Sequence, residues 1–320
     1  MEKTAVLLVN LGTPSAPEPD AVRPYLAEFL GDWWVIDKPR WQWLPILHGI
    51  ILRVRPPRVA KIYQKIWLPE GSPLLHYSRL QQAALQQRLE PEGIRVALGM
   101  TYGQPSVKSA LEELRGWGVR RLLVLPLFPQ YSSTTTAAVW SKVQKALDGW
   151  RDLPEQIFIR DFPTHPKYLA FLTERISGYI AEKGRPDALV LSYHSIPQAY
   201  TASGDDYAAQ CESTTDAVRD RFPDLKIVMG YQSKFGNDPW LEPATDEVLR
   251  ELVRTGHRHV AVMAPGFAAD CIETLHELEV EYAEEFVKAG GERYDYLPAA
   301  NDHPLFIDCL EDLVRRHLPR

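Results

Sequence analysis

The chain has 320 residues, 45% of them apolar and 24% charged, which is ordinary for a soluble globular protein and leaves room for two domains of about 150 residues each. A net charge of −6 argues against the broad basic face that nucleic-acid binding requires. The cysteines, Cys211, Cys271 and Cys309, are odd in number, far apart and without CxxC spacing, so a disulfide framework and a cysteine-built metal site are both disfavoured and a reducing cytoplasm is expected.

The first predicted strand is "TAVLLVN", residues 4–10. It lacks the basic flank and the length of a secretory leader, so none is expected. Residues 33–52 read "WWVIDKPRWQWLPILHGIIL" and hold four of the nine tryptophans in their first eleven positions. Pro39 and Pro45 argue against a buried helix, so the segment, about 33–57, reads as a hydrophobic lip. The basic stretch "RVRPPRVAK" follows, which suits an anionic lipid surface, a carboxylate-bearing ligand, or simply a solvated loop. No apolar run reaches the ~18 residues of a membrane span.

Further strands are predicted over 95–101, 121–127 and 156–161, then over 187–193, 226–232, 258–264 and 293–297. Amphipathic helices lie between them, such as "PSVKSALEELRGWG" and "EPATDEVLRELVRTG", the second with Gly256 as a C-terminal cap. The alternation predicts an α/β fold with parallel strands. The halves also echo each other in order: "AVLLVNLGTP" with "ALVLSYHSIP", "YGQPS" with "FGNDPW", "RRLLVLPLF" with "HVAVMAPGF". Two similar Rossmann-like domains are expected, each a four-stranded parallel sheet flanked by helices, facing each other across a cleft. Their predicted limits are 1–165 and 166–300, with residues 301–320 as a terminal helix packed back on the body.

In such folds ligands bind beyond the carboxyl ends of the strands. No glycine-rich phosphate loop follows any of these strands, which disfavours a nucleotide cofactor. His194 follows one strand directly, where an imidazole can bind metal or take a proton near neutral pH. Glu273, Glu277 and Glu281 stand at i, i+4 and i+8, one acidic stripe if the segment is an α-helix, with Asp270 as its expected N-cap. The stripe is either a solvated face or a path for a divalent cation ending at a carboxylate and an imidazole. The hydroxyl run in "PLFPQYSSTTTAA" caps a helix or binds an anion, Ser72 follows a glycine turn, and Trp240 is a platform for a flat ligand or a core residue.

Taken together, "LLVNLGTP", "GSPLLHYS", "YGQPS", "PLFPQYSSTTT", "YHSIP", "YQSKFGNDPWLEP" and "PGFAADCIETLHELE" resemble the ferrochelatases, which insert Fe(II) into a porphyrin to make haem. The matching motifs run in family order over nearly the whole chain. The resemblance implies that His194 and Glu273 are catalytic and that His194, Glu273, Glu277 and Glu281 handle metal. It places Leu11, Arg55, Tyr63, Ser72, Tyr131 and Trp240 around the porphyrin, Arg55 as a partner for a propionate. Protoporphyrin IX and Fe(II) are then substrates, and no resident cofactor is expected. An iron–sulfur cluster is not expected either, because Ser133 stands where some relatives have a cysteine and the cysteine tail is missing. Cys271 replaces a histidine common among relatives, and Thr101 a basic residue of some. A monomer is expected, cytoplasmic, with possible peripheral membrane contact through the lip. The alternatives are a porphyrin or haem carrier, or a chelatase for coproporphyrin III or for Co(II) and sirohydrochlorin.

Overall fold

A computed structural model describes residues 3–234, 236 and 238–318; Phe235 and Asn237, in the expected "FGNDPW" echo, lie outside the described residues. The strands are β1 (Thr4–Thr13), β2 (Arg95–Gly103), β3 (Arg121–Pro126), β4 (Glu155–Phe158), β5 (Ala188–His194), β6 (Ile227–Gln232), β7 (His259–Met263) and β8 (Arg293–Leu297). All of them overlap the stretches predicted from sequence. The helices used below are α1 (Pro19–Leu30), α2 (Arg40–Ile46), α3 (Leu52–Ile66), α4 (Pro73–Leu89), α5 (Val107–Trp117), α6 (Ala138–Leu147), α7 (Pro166–Lys183), α8 (Gln198–Ala202), α9 (Tyr207–Arg219), α10 (Thr245–Arg254), α11 (Tyr282–Lys288) and α12 (Pro304–Arg316).

The strands form two four-stranded parallel sheets of one topology, β2-β1-β3-β4 and β6-β5-β7-β8. Continuous apolar runs form them because helices cover both faces. Ala5 to Val9 and Ala188 to Leu191 are buried throughout. In each sheet the chain leaves its first strand in one direction, then crosses back, so a switch point falls at the carboxyl ends of β1 and β3, and of β5 and β7.

One compact unit comprises 1–128, 132–161 and 310–320; the other comprises 129–131 and 162–309. In the first, Leu111 and Leu114 of α5 and Val139 and Val143 of α6 pack on Leu7, Leu122 and Val124 of the sheet. In the second, Leu249 and Leu252 of α10, Leu278 and Phe286 pack on Val190, Val260 and Val262. Early in α12, Phe306 packs with Phe162, Tyr168 and Phe171 of the second unit. Further along, Glu311 pairs with Arg88 of the first unit at 2.9 Å.

The internal repeat is real, but one of its echoes is re-registered. After β2 the chain returns so that the Met100 N–H donates to Pro105 O; after β6 the Tyr231 N–H donates to Pro243 O. Pro105 therefore corresponds to Pro243, not to Pro239 of "FGNDPW". A glycine is required at each return. A Cβ on Gly99 would stand 3.0 Å from Val107 Cα, and one on Gly230 would stand 2.9 Å from Thr245 Cα.

The lip departs from its sequence reading. Residues 40–66 are helical despite the prolines: Pro39 is the N-cap of α2, Pro45 lies inside it, a π-turn spans Leu47–Ile51, and Pro56 and Pro57 lie within α3. Exposure reconciles the two. Only one side is packed, with Trp43 and Leu47 buried and the Trp43 Nε1–H donating to Leu30 O at 2.7 Å. Trp41 is 77% exposed, Trp33 51% and Ile50 61%, so carbonyls freed by proline have access to water. Among the described residues no helix is long and apolar enough to cross a membrane.

Candidate active site

In the second unit the chemistry-bearing residues gather at the carboxyl end of the sheet. His194 is the last residue of β5 and is half-buried. Its Nδ1 lies 2.6 Å from the Ser195 carbonyl oxygen. A carbonyl only accepts, so Nδ1 carries the proton and a neutral ring keeps its lone pair on Nε2.

Across the ladder, His194 is in register with Gln232, the last residue of β6. Gln232 is fully buried and its backbone carbonyl accepts from Ser195 N at 2.8 Å. Its Oε1 accepts from Ser192 Oγ at 2.8 Å. Its Nε2 donates to the Glu273 carbonyl at 3.0 Å and to Glu277 Oε2 at 3.3 Å. The segment after β7 is thus tied through Gln232 to the end of β6, whose last residue is paired with His194.

Glu273–Glu281 is a π-helix, not the α-helix that the i, i+4, i+8 stripe presupposed. Its i→i+5 closure separates the environments of the three carboxylates. Glu273 is half-buried in the first turn. Glu277 accepts from Ser233 N at 2.8 Å, Tyr282 Oη at 2.9 Å, Gln232 Nε2 and, by a short contact, Ser233 Oγ. Tyr282 lies five residues on, on the same face of a π-turn. Glu281 is exposed and pairs with Nε2 of the buried His276 at 3.4 Å. Leu278, buried in the core, and the Tyr294 hydroxyl, which donates to its carbonyl at 2.6 Å, hold the helix on the sheet.

Asp270 is not the expected N-cap. It is buried, and its carboxylate accepts from Thr274 Oγ1, Tyr296 Oη and Asn301 Nδ2 at 2.7–2.9 Å and, at 3.3 Å, from Ala299 N. It ties the loop before the π-helix to the loop after β8. Cys271 is buried; burial first, then the adjoining Glu273 carboxylate, pushes its thiol well above the usual range. A thiol shifted this way is a packed neutral group in the folded chain rather than a thiolate. Among the described residues no group of three or more His, Cys, Asp or Glu is placed to hold a metal.

The other candidates fall as follows. Trp240 is half-buried; its carbonyl accepts from Gln198 Nε2 at 2.9 Å, and its buried Nε1–H has no protein acceptor. Tyr131 is half-buried, its N–H on Gln210 Oε1 at 2.8 Å. In the first unit Leu11 is half-buried near the end of β1, aligned by the repeat with His194. Ser72 is buried and accepts from Thr13 Oγ1 at 2.8 Å. Tyr63 is buried against Trp67 on α3, and Arg55 is half-buried on the same helix, its guanidinium lowered by burial. Thr101 is buried, its hydroxyl on Asn10 O at 3.1 Å. The hydroxyl run caps a helix: Ser132 Oγ accepts from Thr134 N ahead of a π-turn, Ser133–Ala137. Gln232, Ser233 and Tyr282 went unnoticed in the sequence. The first two stand in the quoted "YQSKFG" motif, and only an i+5 spacing singles out Tyr282.

Two parallel four-stranded sheets of equal topology, with a histidine and a carboxylate helix at one switch point, define a chelatase fold. Solved structures agree. The sirohydrochlorin chelatase SirB from Bacillus subtilis superposes with a TM-score of 0.56 over 98% of this chain and 94% of that one, at 11% identity. CbiX, described as the terminal enzyme of sirohaem biosynthesis in denitrifying bacteria, gives 0.55 over 99% and 100%, at 12% identity. The sequence goes further: residues 3–318 match the ferrochelatase family model. Ferrochelatases of Yersinia enterocolitica and Pectobacterium atrosepticum are each 52% identical to this chain, over 318 residues (99% of it and 98% of the relative) and 315 residues (98% of each). The chain belongs to the ferrochelatase family.

Proposed function

We propose that this chain inserts Fe(II) into protoporphyrin IX with His194 as the base. The family's activity is metallation of protoporphyrin to protohaem: one Fe(II) enters, two N–Fe bonds replace two pyrrole N–H bonds, and two protons leave. The observation that carries the residue assignment is the His194 Nδ1–H bond to Ser195 O, which leaves Nε2 as the free acceptor for a pyrrole proton. Glu273, in the turn that Gln232 ties to the end of β6, serves as the carboxylate that exchanges with water on Fe(II) or takes the second proton. Glu277 and Glu281 continue the metal or proton route. Four donors already meet the Glu277 carboxylate, so it contributes a fixed negative charge rather than a mobile ligand arm.

Leu11, Arg55, Tyr63, Ser72, Tyr131 and Trp240 serve porphyrin binding, Arg55 through a propionate. The exposed Trp33, Trp41 and Ile50 flank the exposed Arg53, Arg58 and Lys61, a composition that fits peripheral contact with an anionic bilayer.

The test is an anaerobic assay with protoporphyrin IX and Fe(II), followed by the visible spectrum. Loss of a positioned base costs about 10²–10⁴ in rate, so His194→Ala should fall by that factor while still binding porphyrin. Wild-type turnover left intact in the variant would remove the histidine from the mechanism. Porphyrin binding by the wild type without metallation, whether by Fe(II), Zn(II) or Co(II), would make the chain a carrier.

A further inference from the structure

We infer that Gln232 is a positioning residue that sets the spacing between His194 and Glu273. This rests on the reading of those two as the working pair. The carboxamide is fully buried and joins the strand that carries His194 to the first turn of the π-helix that carries Glu273. Its orientation is determined by its neighbours. The Glu273 carbonyl and the Glu277 carboxylate offer only acceptors, so the NH₂ end must face them, at 3.0 and 3.3 Å. Oε1 then faces Ser192 Oγ, which also contacts Thr245 Oγ1 at 2.8 Å and so is itself held.

A π-helix closes its turns with i→i+5 bonds, a rare geometry, and the Gln232 amide adds a partner from outside the helix at its first turn. Leucine has similar bulk but leaves the Glu273 carbonyl and one Glu277 oxygen without this donor. Glutamate would set oxygen against oxygen in a buried place. Asparagine is one methylene too short to reach both sides. Each variant would let the first turn relax away from His194. Misplacement of reacting groups by about 1 Å costs on the order of 10²-fold, whereas porphyrin binding does not draw on this amide.

The experiment compares Gln232→Leu, Ser192→Ala and wild type, measuring kcat for Fe(II) insertion and KM for protoporphyrin IX, with circular dichroism to confirm folding. The expected result is a kcat lower by about tenfold to hundredfold in Gln232→Leu, with porphyrin KM changed by less than about threefold. Ser192→Ala, which frees the carboxamide without removing it, should fall in kcat by a smaller factor in the same direction. A Gln232→Leu kcat within about twofold of wild type, or a loss confined to KM, overturns the inference. If Gln232→Leu does not fold, Ser192→Ala decides, and an unchanged kcat there overturns it. A wild type that binds porphyrin but never metallates it would refute the base reading instead, an outcome separable from both.

Discussion

Replacing Glu277 by glutamine tests whether this carboxylate is an anchor or a loose ligand. Both its oxygens accept two donors in the folded chain. In the glutamine variant Oε1 keeps Ser233 N–H and Tyr282 Oη, but each bond drops from a charged to a neutral acceptor, about 1 kcal/mol apiece. The new NH₂ replaces Oε2. Ser233 Oγ can turn to accept from it, whereas Gln232 Nε2 meets another donor and loses its bond, about 1 kcal/mol more. Water reaches the half-buried Glu277, so the total of roughly 3 kcal/mol is discounted to about 2 kcal/mol. With an m-value of about 2 kcal/mol/M, the urea midpoint of the second unit should fall by about 1 M. The assay is urea unfolding followed by tryptophan fluorescence and circular dichroism, with wild type alongside. A midpoint unchanged within about 0.3 M, together with weakened metal binding, would refute the anchored picture.

Other outcomes follow from the same geometry. Cys211, Cys271 and Cys309 are buried, and burial pushes the thiols of Cys211 and Cys271 well above the usual range. Ellman's reagent at neutral pH should therefore leave both unreacted until the protein is denatured; prompt labelling of Cys271 would show an accessible thiolate. Trp41→Ser should leave urea stability within about 0.5 kcal/mol, because its ring packs on little. If the lip enters a bilayer, that substitution removes up to roughly 3–5 kcal/mol of apolar burial, and sedimentation with anionic vesicles should fall by about a hundredfold or more. Equal sedimentation of variant and wild type would exclude insertion at this point. The His259 N–H and then the Arg258 N–H, each at 2.8 Å, hold the Asp187 carboxyl below its usual range. Its contribution is present above the unfolded pKa, about 4, and is lost as pH falls through the lower folded value. Asp187→Asn should accordingly flatten the acid limb of stability below about pH 4, and an unchanged limb would show that the carboxylate is not held.

The strands were legible in the sequence because a parallel sheet covered on both faces demands unbroken apolar runs, and each run here is short and bounded by polar or glycine residues; their order within each sheet came from the structure. His194 was legible for the same reason: a polar residue that ends such a run sits where this fold binds ligands. The family could be read from motifs in order, and the matched relatives agree. Local pattern failed where backbone geometry departs from the common period. The i, i+4, i+8 carboxylates suggested an α-helical stripe, yet the π-turn gives Glu277 a partner at i+5 and leaves Glu281 to His276. The lip prolines suggested a break, yet a helix with one face in water carries them. Gln232 is ordinary as a letter in a chain. Only the pairing of β5 with β6, and the first turn of the π-helix at the end of β6, set its amide between Ser192 and Glu273, because such contacts join residues 40 or more positions apart.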